Sequence, residues 1–193
     1  MDRPELTFSK EVGDWVRETY EASKVILEYG SGGSTVLASE MPGKTIYSVE
    51  SDRRWARRLQ AYLDQANGAS PVLLHHSSIG KTGKWGRPVN NDSYRKYHEY
   101  PLGIWDHPDF KAPDTVLIDG RFREACFYAV MLRSTKKTVV LFDDYADRPR
   151  YRRVEHFIEP VEVRGRMAKF ELTKTALPRD DLTRIIGAFS NPF

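Results

Sequence analysis

A single cysteine, Cys126, stands in 193 residues, so no disulfide can form within the chain, and the composition fits a reducing compartment. No apolar run approaches the length of a membrane span. The opening residues Met1-Asp2-Arg3-Pro4 form no apolar signal region, and the expectation is a cytoplasmic protein with no membrane partner. Charge of one sign is also missing. Thirty Lys and Arg face 27 Asp and Glu, and a net charge of +3 gives no argument for nucleic acid. Internal repeats and low-complexity segments are absent. His75 and His76 have no Cys or second His at metal-ligand spacing, which leaves them as strand-end packing. What is present is ordinary for a globular protein: 40% apolar and 30% charged residues, enough for one domain over residues 1–193 with its own core.

The element pattern alternates. Phe8, Val12, Trp15, Val16 and Tyr20 share one helical face, and Ser9 can cap that helix. Strands are expected at 25–29, 45–50, 71–76, 114–119 and 138–142. Helical stretches follow the first at 34–40, the second at 53–65 and the fourth from Phe122 onward. Asp52 can cap the helix at 53–65 and Asn67-Gly68 can close it. Residues 151–158 can form a further helix, whereas 159–163 and 167–172 alternate around Gly165 like a closing antiparallel pair. Residues 79–113 break the rhythm with an aromatic-rich insertion, and the tail after Lys174 is weakly patterned. Five strands alternating with helices predict an α/β, doubly wound, mostly parallel sheet. Right-handed crossovers then bring Glu28, Glu50, Ser77, Asp119 and Asp143 to one rim.

The organising stretch is Glu28-Tyr29-Gly30-Ser31-Gly32-Gly33-Ser34-Thr35, directly after the first strand. Its glycines allow a sharp turn and leave no side chain between backbone and ligand. A dinucleotide fingerprint needs glycine at three spaced positions, and here the third falls on Thr35. Glu28 would also stand beside the pyrophosphate with the wrong sign. S-adenosylmethionine has no phosphate. A carboxylate can hold its ammonium, directly or through water, and an acid at the end of the second strand, here Glu50, can accept from its ribose hydroxyls. The competing reading of the glycines is a plain strand-to-helix turn.

On these residues the chain resembles the class I S-adenosylmethionine-dependent methyltransferases, over roughly residues 25–142. Glu28, Gly30 and Gly32 match the first motif, Ser34 replaces its last glycine, and Glu50 matches the second motif's acid. The resemblance implies a Rossmann-like seven-stranded sheet whose C-terminal hairpin is antiparallel. It also implies a cofactor held by Glu28, Gly30, Ser31, Gly32, Ser34 and Glu50, with Ser77 and Ser78 near the adenine.

In a sheet of that order Asp119 and the pair Asp143-Asp144 end neighbouring strands. Carboxylates so close persist when a cation neutralises them or a proton is shared. A hard divalent ion such as Mg²⁺ is one such cation. The three aspartates resemble the ligand set of catechol O-methyltransferase and related metal-dependent O-methyltransferases. That resemblance implies catalytic roles for Asp119 and Asp143 and a metal on Asp119, Asp143 and Asp144. The lysine base of the catechol enzymes is replaced by Phe122, and Arg121 and Arg123 on either side stay protonated. The alternative is that the aspartates bind arginines or cap helices.

Arg121, Arg123 and the run Arg148, Arg150, Arg152 and Arg153 open on the same rim, either to recognise an acidic acceptor or as solvated surface. Arg53, Arg54, Arg57 and Arg58 look like surface. Trp85, Tyr97, Tyr100 and Trp105 form either a lid over the acceptor or a minor core. Cys126, on an apolar helical face, is expected to be buried and inert. The leading expectation is an S-adenosylmethionine-dependent enzyme methylating a small-molecule acceptor, with metal-assisted O-methylation as one form. The alternatives are a methyltransferase-like module without turnover and an NAD-dependent oxidoreductase. The latter is disfavoured by the absent third glycine and by the lack of a Tyr-x-x-x-Lys pair. Nucleic-acid methylation is disfavoured because Asp119-Gly120-Arg121-Phe122 stands where the amino-methyltransferase signature would be.

Overall fold

Seven strands form one sheet in the order β3-β2-β1-β4-β5-β7-β6 in the computed structural model, which describes residues 1–174 and 176–192. The first five strands are β1 (Val25–Tyr29), β2 (Thr45–Glu50), β3 (Val72–His76), β4 (Thr115–Ile118) and β5 (Thr138–Phe142), and they pair parallel. β6 (Glu162–Arg164) and β7 (Met167–Leu172) form the reversed hairpin, with β7 antiparallel to β5. The expected fold class and the closing pair are both observed. β1, β4 and β5 are almost wholly buried, as parallel strands covered on both faces must be.

Helices cover the sheet. α1 (Lys10–Glu21) starts where Ser9 accepts the Val12 amide, and it packs Val12, Trp15, Val16 and Tyr20 inward. α2 (Gly33–Ser39) follows the glycine turn, and α3 (Arg53–Ala66) starts on Asp52, whose carboxylate accepts the Arg54 and Trp55 amides. Asn67, left-handed at φ 48°, closes α3. In the insertion, a four-residue helix α4 (Glu99–Leu102) lies among short 3₁₀ turns. α5 (Arg123–Arg133) links β4 to β5 and carries Cys126 fully buried, as expected. Pro149–His156 winds as a 3₁₀ helix, and α6 (Leu182–Ala188) lies in the weakly patterned tail.

Tyr97, Tyr100 and Trp105 are core residues, so the lid reading fails for three of its four aromatics. Their rings stack with Phe122, Tyr29 and Phe110, and the Trp105 indole donates to the Tyr29 hydroxyl at 2.7 Å. Only Trp85 is open, 69% exposed and left-handed at φ 61°. Among the described residues no helix is long and apolar enough to cross a membrane.

Candidate functional site

Chain order reverses between β1 and β4, and the turns leaving these two strands meet at the sheet's C-terminal edge. They touch closely. A Cβ on Gly30 (φ +98°) would lie 2.8 Å from the Gly120 backbone, and one on Gly120 would lie 2.1 Å from the Tyr100 hydroxyl. Gly33 is pinned from the other side, because a Cβ there would meet the Glu5 carbonyl at 2.3 Å. Gly32 differs from both, since a Cβ there would enter open space. The open side is a groove of about 1610 Å³ running past Gly30–Ser34, Glu50, Trp85 and the ends of β4 and β5.

Glu28 lies beneath this loop rather than on the groove wall. It is fully buried, and its oxygens accept from Tyr20 (2.7 Å), Thr35 (2.5 Å) and Ser48 (3.0 Å). Burial pushes its carboxyl up, and those hydroxyls together with Ser34 pull it back. Of the two forms expected of Glu28, direct contact with an ammonium is the one its position disfavours, because its oxygens are already engaged from inside. Ser31 caps this network. Its hydroxyl bonds to that of Ser48 at 2.7 Å, and its carbonyl accepts the Trp55 indole at 2.8 Å.

Glu50 does reach the groove. Its Oε1 accepts the Ser51 and Asp52 amides, each at 2.7 Å, whereas Oε2 has only the Ser31 amide at 3.4 Å. One oxygen thus fixes the side chain and the other is offered to a guest. Burial raises the Glu50 carboxyl and the backbone amides oppose that. Ser78 lines the groove, while Ser77 is buried with its hydroxyl unpartnered and its amide on the Glu50 carbonyl at 2.9 Å. Arg53, Arg54, Arg57 and Arg58 are exposed, as expected, and border the groove.

Asp119, Asp143 and Asp144 do converge, but on arginines. Arg123, with a side chain 4% exposed, reaches Asp119 and Asp144 at 3.0 Å and Asp143 at 3.8 Å. Arg166 grips both oxygens of Asp143 at 2.8 and 2.9 Å, and Arg148 takes Asp144 at 2.9 Å. Three carboxylates meet three guanidiniums in this cluster. The position a Mg²⁺ would need is filled by Arg123, and no group of three or more acidic, His or Cys side chains is placed to hold a metal among the described residues. The donor set does not fit the metal, and the alternative of arginine-bound aspartates is the geometry observed. Asp143 is buried under this lattice, whereas the Asp119 side chain keeps 29% exposure on the groove. Burial raises the Asp119 carboxyl, Arg123 opposes this, and Asp143, which shares a hydrogen bond with it, raises it further.

Several residues of the site carried no sequence signal of their own. Tyr20, Thr35 and Ser48 read as helix-face and strand residues, Gly120 as a strand stop, and Glu5 as part of an unpatterned start. The i,i+4 spacing of Asp119 with Arg123 and of Asp144 with Arg148 was a usable sign of ion pairing.

No family model matches the chain, and no curated protein matches it. Among solved structures, a methyltransferase-like protein from Silicibacter pomeroyi dss-3 is 42% identical, with a TM-score of 0.95 over 98% of this chain and 99% of that one. The O-methyltransferase TomG of Streptomyces achromogenes, involved in tomaymycin synthesis and solved with SAM, is 18% identical, with a TM-score of 0.62 over 88% and 82% of the two chains. An RNA methyltransferase from Salinibacter ruber, in complex with S-adenosyl-L-homocysteine, is 12% identical, with a TM-score of 0.54 over 90% and 97%. The two distant likenesses show a shared fold, and because their acceptors differ in kind, the fold alone does not choose one.

Proposed function

The chain belongs to the class I S-adenosylmethionine-dependent methyltransferases, and from that membership we propose that it methylates a small-molecule acceptor in the groove at the β1–β4 reversal. The observation that carries this reading is the Gly30–Glu50 wall. It has a backbone turn with open space where a Gly32 Cβ would stand, and one Glu50 oxygen left facing that space. This cradle suits a cofactor with a ribose to bond and no phosphate to repel. When bound, S-adenosylmethionine supplies a sulfonium-activated methyl group.

The chain's own residues divide the remaining work. Glu50 Oε2 accepts from the ribose. Gly30, Ser31 and Gly32 bring backbone close to the amino-acid end, and Ser34 with Glu28 braces that backbone from below. Ser78 contacts the adenine end, and Ser77 holds the β3 turn behind it. Orientation and exclusion of water account for most of the rate when the methyl group is already activated. Asp119, on the wall beside the reversal, takes the acceptor's proton in its ionised form, which its raised carboxyl reaches only as pH rises to about 8. Asp143 acts from behind, holding Arg123 and Arg166 so that Asp119 keeps its place. No step is assigned to Mg²⁺, because each of the three aspartates is paired with arginine.

Titration of the purified chain with S-adenosylmethionine and with NAD tests the reading. S-adenosylmethionine should bind and NAD should not, and Mg²⁺ should neither bind at the three aspartates nor change the affinity. Binding of NAD alone would overturn the transferase reading.

A further inference from the structure

Among the described residues, one buried arginine of the β4–β5 wall pairs with no acid. Arg121 follows Gly120 out of β4, is only 7% exposed and lines the groove. Its Nε has no hydrogen-bond partner, and among the described residues no carboxylate pairs with the guanidinium. Burial disfavours its charge, and the neighbouring Arg123 and Arg87 repel it further. Arg123, Arg148 and Arg166, in the same wall, each hold an aspartate. The contrast matters because a buried charge is costly unless paired, and guanidinium does not escape by losing its proton. A buried, unmatched fork beside a ligand groove is suited to an oxyanion, which it can grip through two parallel hydrogen bonds.

Resting on the methyltransferase reading above, we propose that Arg121 receives a carboxylate or phosphate group of the methyl acceptor, so that the acceptor is a small organic acid. Arg121 stands two residues beyond Asp119 on the same turn. An acid anchored at Arg121 therefore presents its nucleophile on the side of the wall where Asp119 can take a proton. The methionine carboxylate of the cofactor offers the same chemistry, and the experiment separates the two sources.

Protein loaded with S-adenosylhomocysteine is titrated with benzoate, with inorganic phosphate and with neutral benzamide at fixed ionic strength. At least one anion should bind and benzamide should not. Arg121→Gln should weaken that anion by roughly tenfold or more, Arg121→Lys should restore part of the loss, and affinity for S-adenosylhomocysteine should stay within about twofold. In the wild-type chain the Arg121 Nε resonance should move with the anion and not with benzamide, which keeps the test independent of whether the variants fold. The inference is overturned if neither anion binds, or if Arg121→Gln leaves anion binding intact. It is also overturned if that variant weakens S-adenosylhomocysteine but spares methylthioadenosine, which lacks the carboxylate. Failure of the wild-type chain to bind S-adenosylhomocysteine would defeat the transferase reading as well; intact cofactor binding without anion binding defeats this inference alone.

Discussion

Glu28 and Glu50 are both glutamates at strand ends, and their surroundings give them different work. Three hydroxyls occupy Glu28 from inside, so its carboxylate ties α1, β2 and the glycine turn into one piece. Glu28→Ala would strand those hydroxyls in a dry site. It should cost about 3 kcal/mol of stability, read as a shifted denaturant midpoint. A loss confined to cofactor affinity, with stability unchanged, would contradict that role. Asp119 allows a pH test. Its folded-state carboxyl is raised, so the folded chain keeps a proton the unfolded chain has released. Wild-type stability then falls as pH rises from the ordinary aspartate value of about 4 through the raised one. Asp119→Asn lacks that proton, and its melting temperature relative to wild type should climb across this window. A difference that stays flat with pH would show that Asp119 is not shifted.

Among the elements, the five parallel strands and the closing hairpin were legible because hydrophobic runs of the right length were separated by strong turn residues. The β2 and β5 boundaries match the expectation to the residue. The insertion was legible only as an interruption. Whether Tyr97, Tyr100 and Trp105 face solvent or core depends on which surfaces approach them, here Phe122, Tyr29 and Phe110, and spacing along the chain does not carry that information. α6 stayed hidden because only Ile185 and Ala188 of its seven residues are buried, which is too short a stripe to set a period. The acid cluster shows the same limit. Sequence placed three aspartates on one rim correctly, but the identity of the cation among them depended on Arg123 folding back from α5. The glycine turn gives a paired prediction. Gly30→Ala should impair folding, because its Cβ would run into the Gly120 backbone at a left-handed position. Gly32→Ala should fold with a melting curve close to wild type yet weaken S-adenosylmethionine in a binding titration. Equal behaviour of the two variants would contradict the asymmetry.

The molecule as a whole is a sheet whose chain order reverses at β1 and β4, with Glu50, Asp119 and Asp143 delivered to one groove and Glu28 held beneath it. On the β1–β2 side the wall offers bare backbone and one available carboxylate oxygen, bordered by the exposed arginines of α3; on the β4–β5 side it is an arginine–aspartate lattice with one arginine left over. The proposed function puts the cofactor on the first side and the acceptor on the second. The most direct measurement is a calorimetric titration of S-adenosylhomocysteine into the wild-type chain and Glu50→Gln, a variant that keeps an oxygen for the Ser51 and Asp52 amides. The account predicts saturable binding to the wild type and a loss of roughly tenfold or more in the variant, with an unchanged melting temperature. Equal affinity in both proteins would contradict it.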